Sequence, residues 1–344
     1  MSISWRFYLT ACGALLLSAC ATAEFPGTWS PLPRMTVARQ ETGAAVIGDK
    51  LYVSGGLGTT VPPSPRTTME VFDFVLQTWS FTAPLPLDLD HHMMVAVDGR
   101  LYLIGGYTRP GGPVVTSDQV HIYDPAFDSW STGASMPAPR GGAWAVAIDR
   151  KIYCVGGENG GVSSDSLFIY DVDFDSWATG APMPTARNHL NAVTDGINVY
   201  VLGGRDGSTS VAANEKYIVA EDRWESLAPL PTARAAMACA YLDGRIYCAG
   251  GETPMLFAVN EVYNVAGDHW NIQTPMPIPR HGVAAVTYEG SIIAPGGGLV
   301  QGFDPSNAVD MFTPATPLPA PSGGVVATIL LLAVGFRHWL VRRK

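Results

Sequence analysis

A pair of adjacent glycines recurs at six regularly spaced places along the chain, at 55-56, 105-106, 156-157, 203-204, 250-251 and 296-297. Three residues before five of these pairs stands a tyrosine (Tyr52, Tyr102, Tyr153, Tyr200, Tyr247), and Ile293 takes that place in the last copy. Trp29, Trp79, Trp130, Trp177, Trp224 and Trp270 follow one another at intervals of 46 to 51 residues. Seven residues before the last five of them stands an aromatic: Phe72, Tyr123, Tyr170, Tyr217 and Tyr263. A repeat of this period means an architecture built from stacked copies of one supersecondary unit. The apolar segments between the fixed points are short and bounded by Gly, Asp and Pro, which excludes a helical unit and predicts strands.

The unit is cleanest from Arg140 to Trp177. A first strand over 143–148 meets the turn Asp149-Arg150. A second, Ile152-Tyr153-Cys154-Val155, ends at Gly156-Gly157, where the chain must turn sharply beside a close neighbour. A variable loop leads to a third strand through Phe168-Ile169-Tyr170, and a fourth contains Trp177. Met183-Pro184 and Arg187 then restart the pattern. Each unit is thus a four-stranded sheet. Large aromatics fill the space between adjacent sheets, each contributing about 1.5–3 kcal/mol by burial. The 37 glycines, 27 prolines and 15% charged residues, with 47% hydrophobic residues, suit many short strands around a large core.

The glycine pairs, the tyrosine before them, the spaced Tyr and Trp and the Met-Pro-x-x-Arg run resemble the kelch family, over about 28–314. The resemblance implies an all-β fold, a β-propeller with one four-stranded antiparallel blade per repeat. The blade number follows from the ends. Trp29 has no first three strands before it, whereas the last copy has Arg280, Gly296-Gly297 and Val309-Asp310-Met311-Phe312 but no Trp after them. Six blades are expected, with Thr28-Trp29-Ser30 supplying the missing outer strand of the sixth and closing the ring.

Outside the propeller, placed at 27–314, both ends read as targeting segments. Residues 1–23 have the form of a secretory signal, with Arg6 and then an apolar run. Leu17-Ser18-Ala19-Cys20 resembles a lipoprotein box that would lipidate Cys20; Ala21-Thr22-Ala23 is a competing cleavage site. A Pro/Gly linker at 315–324 leads to an apolar segment at 325–344 ending in Arg342, Arg343 and Lys344. That segment reads as a membrane anchor with its basic tail inside, or as a sorting signal similar to the PEP-CTERM or Gly-Gly type. Setting aside the basic residues of the two ends (Arg6, Arg337, Arg342, Arg343, Lys344) leaves 16 basic against 30 acidic residues, a net charge of −14. A body this acidic repels nucleic acid and anionic lipid. These features point to a bacterial protein exported to the periplasm or cell surface and held at the membrane.

Three cysteines remain in the body. Cys239 and Cys248 flank the turn Asp243-Gly244, and a two-residue turn puts them opposite each other, close enough for a disulfide. Two small buried thiols are the alternative.

The candidate binding site is the start of the innermost strands. Sixteen residues before the glycine pairs stand Arg39, Leu89, Arg140, Arg187, Arg234 and Arg280. Five guanidiniums around the axis would suit an anionic ligand; as part of the kelch pattern they would instead bond neighbouring loop carbonyls. Blade two replaces the arginine with Leu89 and continues Asp90-His91-His92, while His189 and His281 lie near the same place in blades four and six. Asp90 and His91 therefore join the five arginines as candidate ligand-binding residues. Four imidazoles near one mouth would give a metal or acid/base site, or simply bond backbone groups, since no regular ligand spacing is present. Asp171, Asp173 and Asp175 resemble the start of a calcium loop but lack its Gly and Glu spacing, and read as turn chemistry.

No catalytic residue, metal ligand or cofactor is assigned. The expected function is a non-enzymatic module binding a protein or carbohydrate ligand, with specificity in the loops 57–68 and 107–117. The alternative implied by the resemblance is a periplasmic carbohydrate enzyme such as a sialic acid mutarotase. A copper oxidase of the galactose oxidase kind is excluded, because its Tyr-His dipeptide does not occur. A carboxylate beside arginines in the mouth, such as Glu41 or Asp90, would favour an enzyme.

Overall fold

The computed structural model describes residues 26–58, 65–109 and 112–315. The signal-like segment 1–23 with Cys20, nearly all of the linker 315–324 and the apolar segment 325–344 lie outside them. Among the described residues no helix is long and apolar enough to cross a membrane.

Pro26–Pro314 form one compact unit. Among the described residues are six four-stranded sheets and three two-stranded ribbons. In blade three the strands run Trp144–Ile148, Lys151–Val155, Leu167–Asp171 and Ser176–Gly180, each antiparallel to the next. Burial falls outward: the second strands are buried on both faces, while the outermost show one face to solvent. The sixth blade takes three strands, Val286–Tyr288, Ser291–Pro295 and Val309–Thr313, from the C-terminal side of the chain. Its fourth is Thr28–Leu32, with Trp29 opposite Phe312 and Ser30 opposite Met311. The ring closes as expected, so six blades need only five complete repeats.

Adjacent blades are tied at fixed points. The second glycine of each pair donates its N–H to the carbonyl at the arginine position of the next blade: Gly56 to Leu89, Gly106 to Arg140, Gly157 to Arg187, Gly204 to Arg234, Gly251 to Arg280 and Gly297 to Arg39, at 2.8–3.0 Å. A Cβ on Gly157 would stand 2.6 Å from the Ala143 Cβ, at a φ of 85°. Both the approach and the left-handed backbone require glycine there.

At the outer edge, Asp175 accepts from the Ala134 N–H at 2.6 Å while the Trp177 indole donates to the Ala134 carbonyl at 2.8 Å. Ala134 belongs to the segment leaving the preceding blade. Asp128 and Trp130 hold Ala83 in the same way, Asp222 and Trp224 hold Ala181, and Asp268 and Trp270 hold Ala228. A tyrosine hydroxyl from the third strand (Tyr123, Tyr170, Tyr217, Tyr263) completes each aspartate at 2.5–2.7 Å. Asp171 accepts from the N–H groups of Asp173 and Phe174, and Asp173 pairs with Arg150. The aspartates of this turn are thus engaged in backbone and inter-blade bonds.

Cys239 and Cys248 face each other on the first two strands of blade five and are joined as a disulfide; Cys154 is a buried free thiol.

Candidate functional site

The arginine ring lies behind the mouth, not in it. Arg39, Arg187, Arg234 and Arg280 are 0% exposed. Each pairs with an acid at the start of the third strand of its own blade: Glu70 at 2.8 Å, Glu215 at 2.6 Å, Glu261 at 2.5 Å and Asp310 at 2.7 Å. Further donors go to carbonyls, most completely in Arg234, which bonds Gly250, Thr232 and Cys248 at 2.8 Å. The acids also bind the segment that carries the arginine: Glu70 accepts from the Thr36 and Val37 N–H groups, and Glu215 and Glu261 from Thr185 and Thr232. A buried charge is tolerated when it is paired, and each of these cations has its acid. Arg140, half-buried, has no acid at this place; its guanidinium lies over the Phe168 ring and bonds Ser166. In blade two both members are gone: Leu89 is core, and His121 stands where the acid would be.

The mouth is built from the next two positions. One residue past the arginine site, each blade bridges to the residue after a glycine pair: Gln40 with Leu57, Asp90 with Tyr107, Gly141 with Glu158, Asn188 with Arg205, Ala235 with Glu252, and His281 with Gly298. Two residues past it stand Glu41, His91, Gly142, His189, Ala236 and Gly282. Each donates its N–H to the carbonyl of the one before, around the axis and back from Glu41 to Gly282, at 2.8–3.1 Å. All six are left-handed, with φ between 48° and 60°. This closed ring of backbone bonds constricts the axis to a space of about 30 Å³. Below it runs a channel of about 430 Å³, lined largely by apolar residues of the first strands. Above it a cavity of about 250 Å³ opens among Gln40, Glu41, His91, His189, Arg205, Glu252 and His281.

Glu41 stands at the centre of the charges. Its carboxylate lies 3.5 Å from His91 Nε2 and 3.3 Å from His281 Nδ1. Burial alone would raise the Glu41 carboxyl, but His91, His281 and His189 outweigh it and hold the group well below the usual carboxylate range. Burial pulls His91 down, yet Glu41 and the bonded Asp90 lift it above its ordinary value. His281 is also raised, Glu41 and Glu252 overcoming burial. His189 is pushed down to about 3 by burial and by the neighbouring His91. The mouth therefore gathers carboxylates, a guanidinium and three imidazoles, of which His189 is held well below its ordinary value.

Of the residues singled out in the sequence, His91 lines the mouth. Asp90 is 1% exposed and acts from behind it, bonded to His91 Nδ1 at 2.7 Å and to Arg109. His189 and His281 converge on the mouth. His92 turns away to Ser54 at 2.8 Å, and burial lowers it to about 4. Arg205, Glu252, Tyr107 and Glu158 had not been singled out. All four follow a glycine pair, a position that varies in chemistry between blades while its surroundings repeat, and that variation marks it. Glu41, His91 and His189 bring one potential ligand atom each to within 4.8 Å of the others.

Several loop tips on the same face expose apolar side chains: Val114 (55%), Val162 (72%), Met255 (60%), Val300 (47%) and Phe303 (56%). The loop carrying the last two is pinned over the mouth by Gln40, bonded to Gly302 and Asp304, and by His281, bonded to the Val300 carbonyl.

A family model described as the KLHDC2/KLHL20/DRC7 Kelch-repeats domain matches residues 28–182 and 91–298. A Kelch-like protein terF from Aspergillus terreus is 35% identical over 158 residues, 42% of this chain and 34% of that protein. Kelch-like protein 26 from Danio rerio is 35% identical over 115 residues, 33% of this chain and 19% of that protein. The matched region thus spans 34% and 19% of these relatives' length. Among solved structures, one titled "Structure of YjhT" superposes with a TM-score of 0.72 at 17% identity, over 81% of this chain and 95% of that one. At that identity the likeness shows the fold alone.

Proposed function

This chain belongs to the kelch-repeat β-propeller family, and from that premise we propose that it is a binding module whose partner is a protein segment seated on the loop-bearing face. The carrying observation is the arrangement of that face: a polar cavity over Glu41, His91 and Arg205, surrounded by the exposed apolar tips Val162, Met255, Val300 and Phe303. Exposed apolar side chains around a few fixed polar groups suit a protein surface, the tips excluding water while the polar groups set register. The test is a peptide and glycan array probed with the full chain and with a Met255→Ser, Phe303→Ser variant. Peptide binding lost in the variant supports the reading; a wild-type chain that binds only glycans removes it.

A second reading is a carbohydrate-transforming site of the mutarotase type. It is favoured by Glu41 and Glu252 beside Arg205 in one cavity, 3.2 Å separating Arg205 from Glu252. A carboxylate can serve as general base at the anomeric hydroxyl, and a guanidinium can hold the carboxylate of an acidic sugar. Anomer exchange of sialic acid and of neutral reducing sugars, followed by NMR with catalytic amounts of protein, decides it: rates equal to the uncatalysed ones eliminate this reading.

We also place the propeller in a bacterial envelope, on the support of the signal-like 1–23, Cys20 and the basic-tailed segment 325–344. Fractionation of cells producing the intact chain and its Cys20→Ala variant tests both export and the lipid anchor. Recovery of both chains in the cytosol would remove the placement.

A further inference from the structure

The left-handed ring shows what its backbone prefers and where that preference is overridden. Left-handed geometry disfavours any residue with a Cβ, and bulky ones most. Blades three, five and six fill it with Gly142, Ala236 and Gly282, whereas blades one, two and four carry Glu41, His91 and His189. Side chains kept at such positions against backbone preference point to a function of those side chains. These three meet, one nitrogen or oxygen from each lying within 4.8 Å of the others.

Both imidazoles are oriented in the same way. His91 Nδ1 is bonded to Asp90 Oδ1 at 2.7 Å and His189 Nδ1 to Asn188 Oδ1 at 2.6 Å. An oxygen acceptor at Nδ1 puts the proton there and leaves Nε2 with its lone pair, the tautomer that ligates metals, and such outer partners accompany metal-bound histidines. Asp90 is itself buried and anchored by Arg109. Behind Glu41, His281 is 1% exposed, and its Nδ1 lies 3.3 Å from Glu41 and 3.4 Å from Glu252 without closing a hydrogen bond to either. Arg205 Nη2 rests 3.0 Å from His189 Nε2 while its Nη1 is already bonded to Glu252 at 3.2 Å, so a cation at His189 displaces only the first of these contacts.

We infer that Glu41, His91 and His189 form a site for a divalent transition-metal cation of the zinc class, with its fourth position open to the cavity. Two imidazoles and one carboxylate are a donor set that suits zinc and leaves room for a water or ligand atom. The inference goes beyond the docking proposal and does not depend on it.

The full chain, stripped with a chelator, is titrated with Zn²⁺ alone and with Co²⁺ as a spectroscopic probe. It is compared with His91→Gly/His189→Ala and with Glu41→Gln. The double variant copies residues already present at this position in blades three and five, so its circular dichroism and melting temperature are expected to match the wild type. One equivalent of Zn²⁺ is expected to be lost in the double variant, with the visible Co²⁺ bands. In Glu41→Gln the affinity is expected to fall at least tenfold. Equal stoichiometry and affinity in wild type and double variant would overturn the site. Because no protein partner or sugar is present, that failure leaves both docking readings standing.

Discussion

Arg187 donates to Glu215 across 2.6 Å at a place where the two side chains are 0% and 4% exposed. The pair joins the start of blade four to its own third strand, and three further blades repeat it. Burial lowers the arginine while Glu215 partly restores it.

Removing one partner leaves the other charge buried alone. Arg187→Ala is expected to destabilise the chain by about 3–5 kcal/mol. Arg187→Leu with Glu215→His copies the pair that blade two already uses, Leu89 and His121, and is expected to recover most of that loss. Urea denaturation of the three chains measures it. Full stability of the single variant would mean that the pair is not a structural clamp.

The outer latches contribute to stability at both ends of the pH range. Asp128, Asp175 and Asp268 are held below the ordinary 3.8 by the N–H groups of Ala83, Ala134 and Ala228 and then by their tyrosines; in Asp222, Tyr217 acts first and Ala181 second. A depressed carboxyl stabilises the fold above its unfolded value and loses that contribution as pH falls through its folded one. The tyrosines Tyr123, Tyr170, Tyr217 and Tyr263 are raised above 10.0 by burial and by the aspartates. Their contribution is complete below about pH 10 and is lost as pH rises through the folded values. In thermal melts the latches are expected to contribute evenly between about pH 4 and 10 and to lose that contribution at both ends, while His92 and His189, held below 6.5 by burial, already weaken the fold as pH falls below about 6.5. In a chain with all four aspartates changed to Asn, the acid-side slope should flatten.

Two glycines with similar dihedrals separate strain from contact. Gly157 has φ of 85° and neighbours 2.6 Å from a built Cβ, whereas Gly160 has φ of 61° and open space. Gly160→Ala is expected to cost about 1 kcal/mol from the left-handed backbone alone. Gly157→Ala adds the displacement of Ala143 and of the bond to Arg187, and should cost at least twice as much. Equal losses in denaturant midpoint would mean that the blades part easily.

The period of the repeat made the blades legible, and the unfilled outer strand of the last copy gave Trp29 its place. The arginines were legible as positions but not as buried groups, because an arginine aligned on the axis reads as a cation at a mouth. The signal was nevertheless present. Glu70, Glu215, Glu261 and Asp310 accompany Arg39, Arg187, Arg234 and Arg280, while Phe168 and His121 accompany Arg140 and Leu89. An acid that keeps company with its arginine marks a pair, not a ligand site. The mouth was half legible. Asp90, His91, His189 and His281 stood out as residue types, but Arg205 and Glu252 reach it through bridges between distant segments, which no local pattern shows.

Blade one departs from the latch in a way that its own chemistry explains. The Trp79 indole donates to the Pro33 carbonyl, but Pro33 has no N–H to offer an aspartate. Gln77 stands where the aspartate would be, and Phe72 replaces the tyrosine whose hydroxyl would have bonded it. In blade six Gly27 occupies the same place and Phe312 the tyrosine position, packed on Trp29. The hydroxyl is thus present only where an aspartate receives it. Tyr170→Phe is expected to cost about 1 kcal/mol, one hydrogen bond. Phe72→Tyr adds an oxygen at a 0% exposed position without that acceptor and should cost about 1–3 kcal/mol. Adding Gln77→Asp should recover only part of the loss, since the N–H that completes the other latches is still missing at Pro33. Full recovery, measured as urea midpoints of the single and double variants, would show that the tyrosine–aspartate bond alone makes the latch.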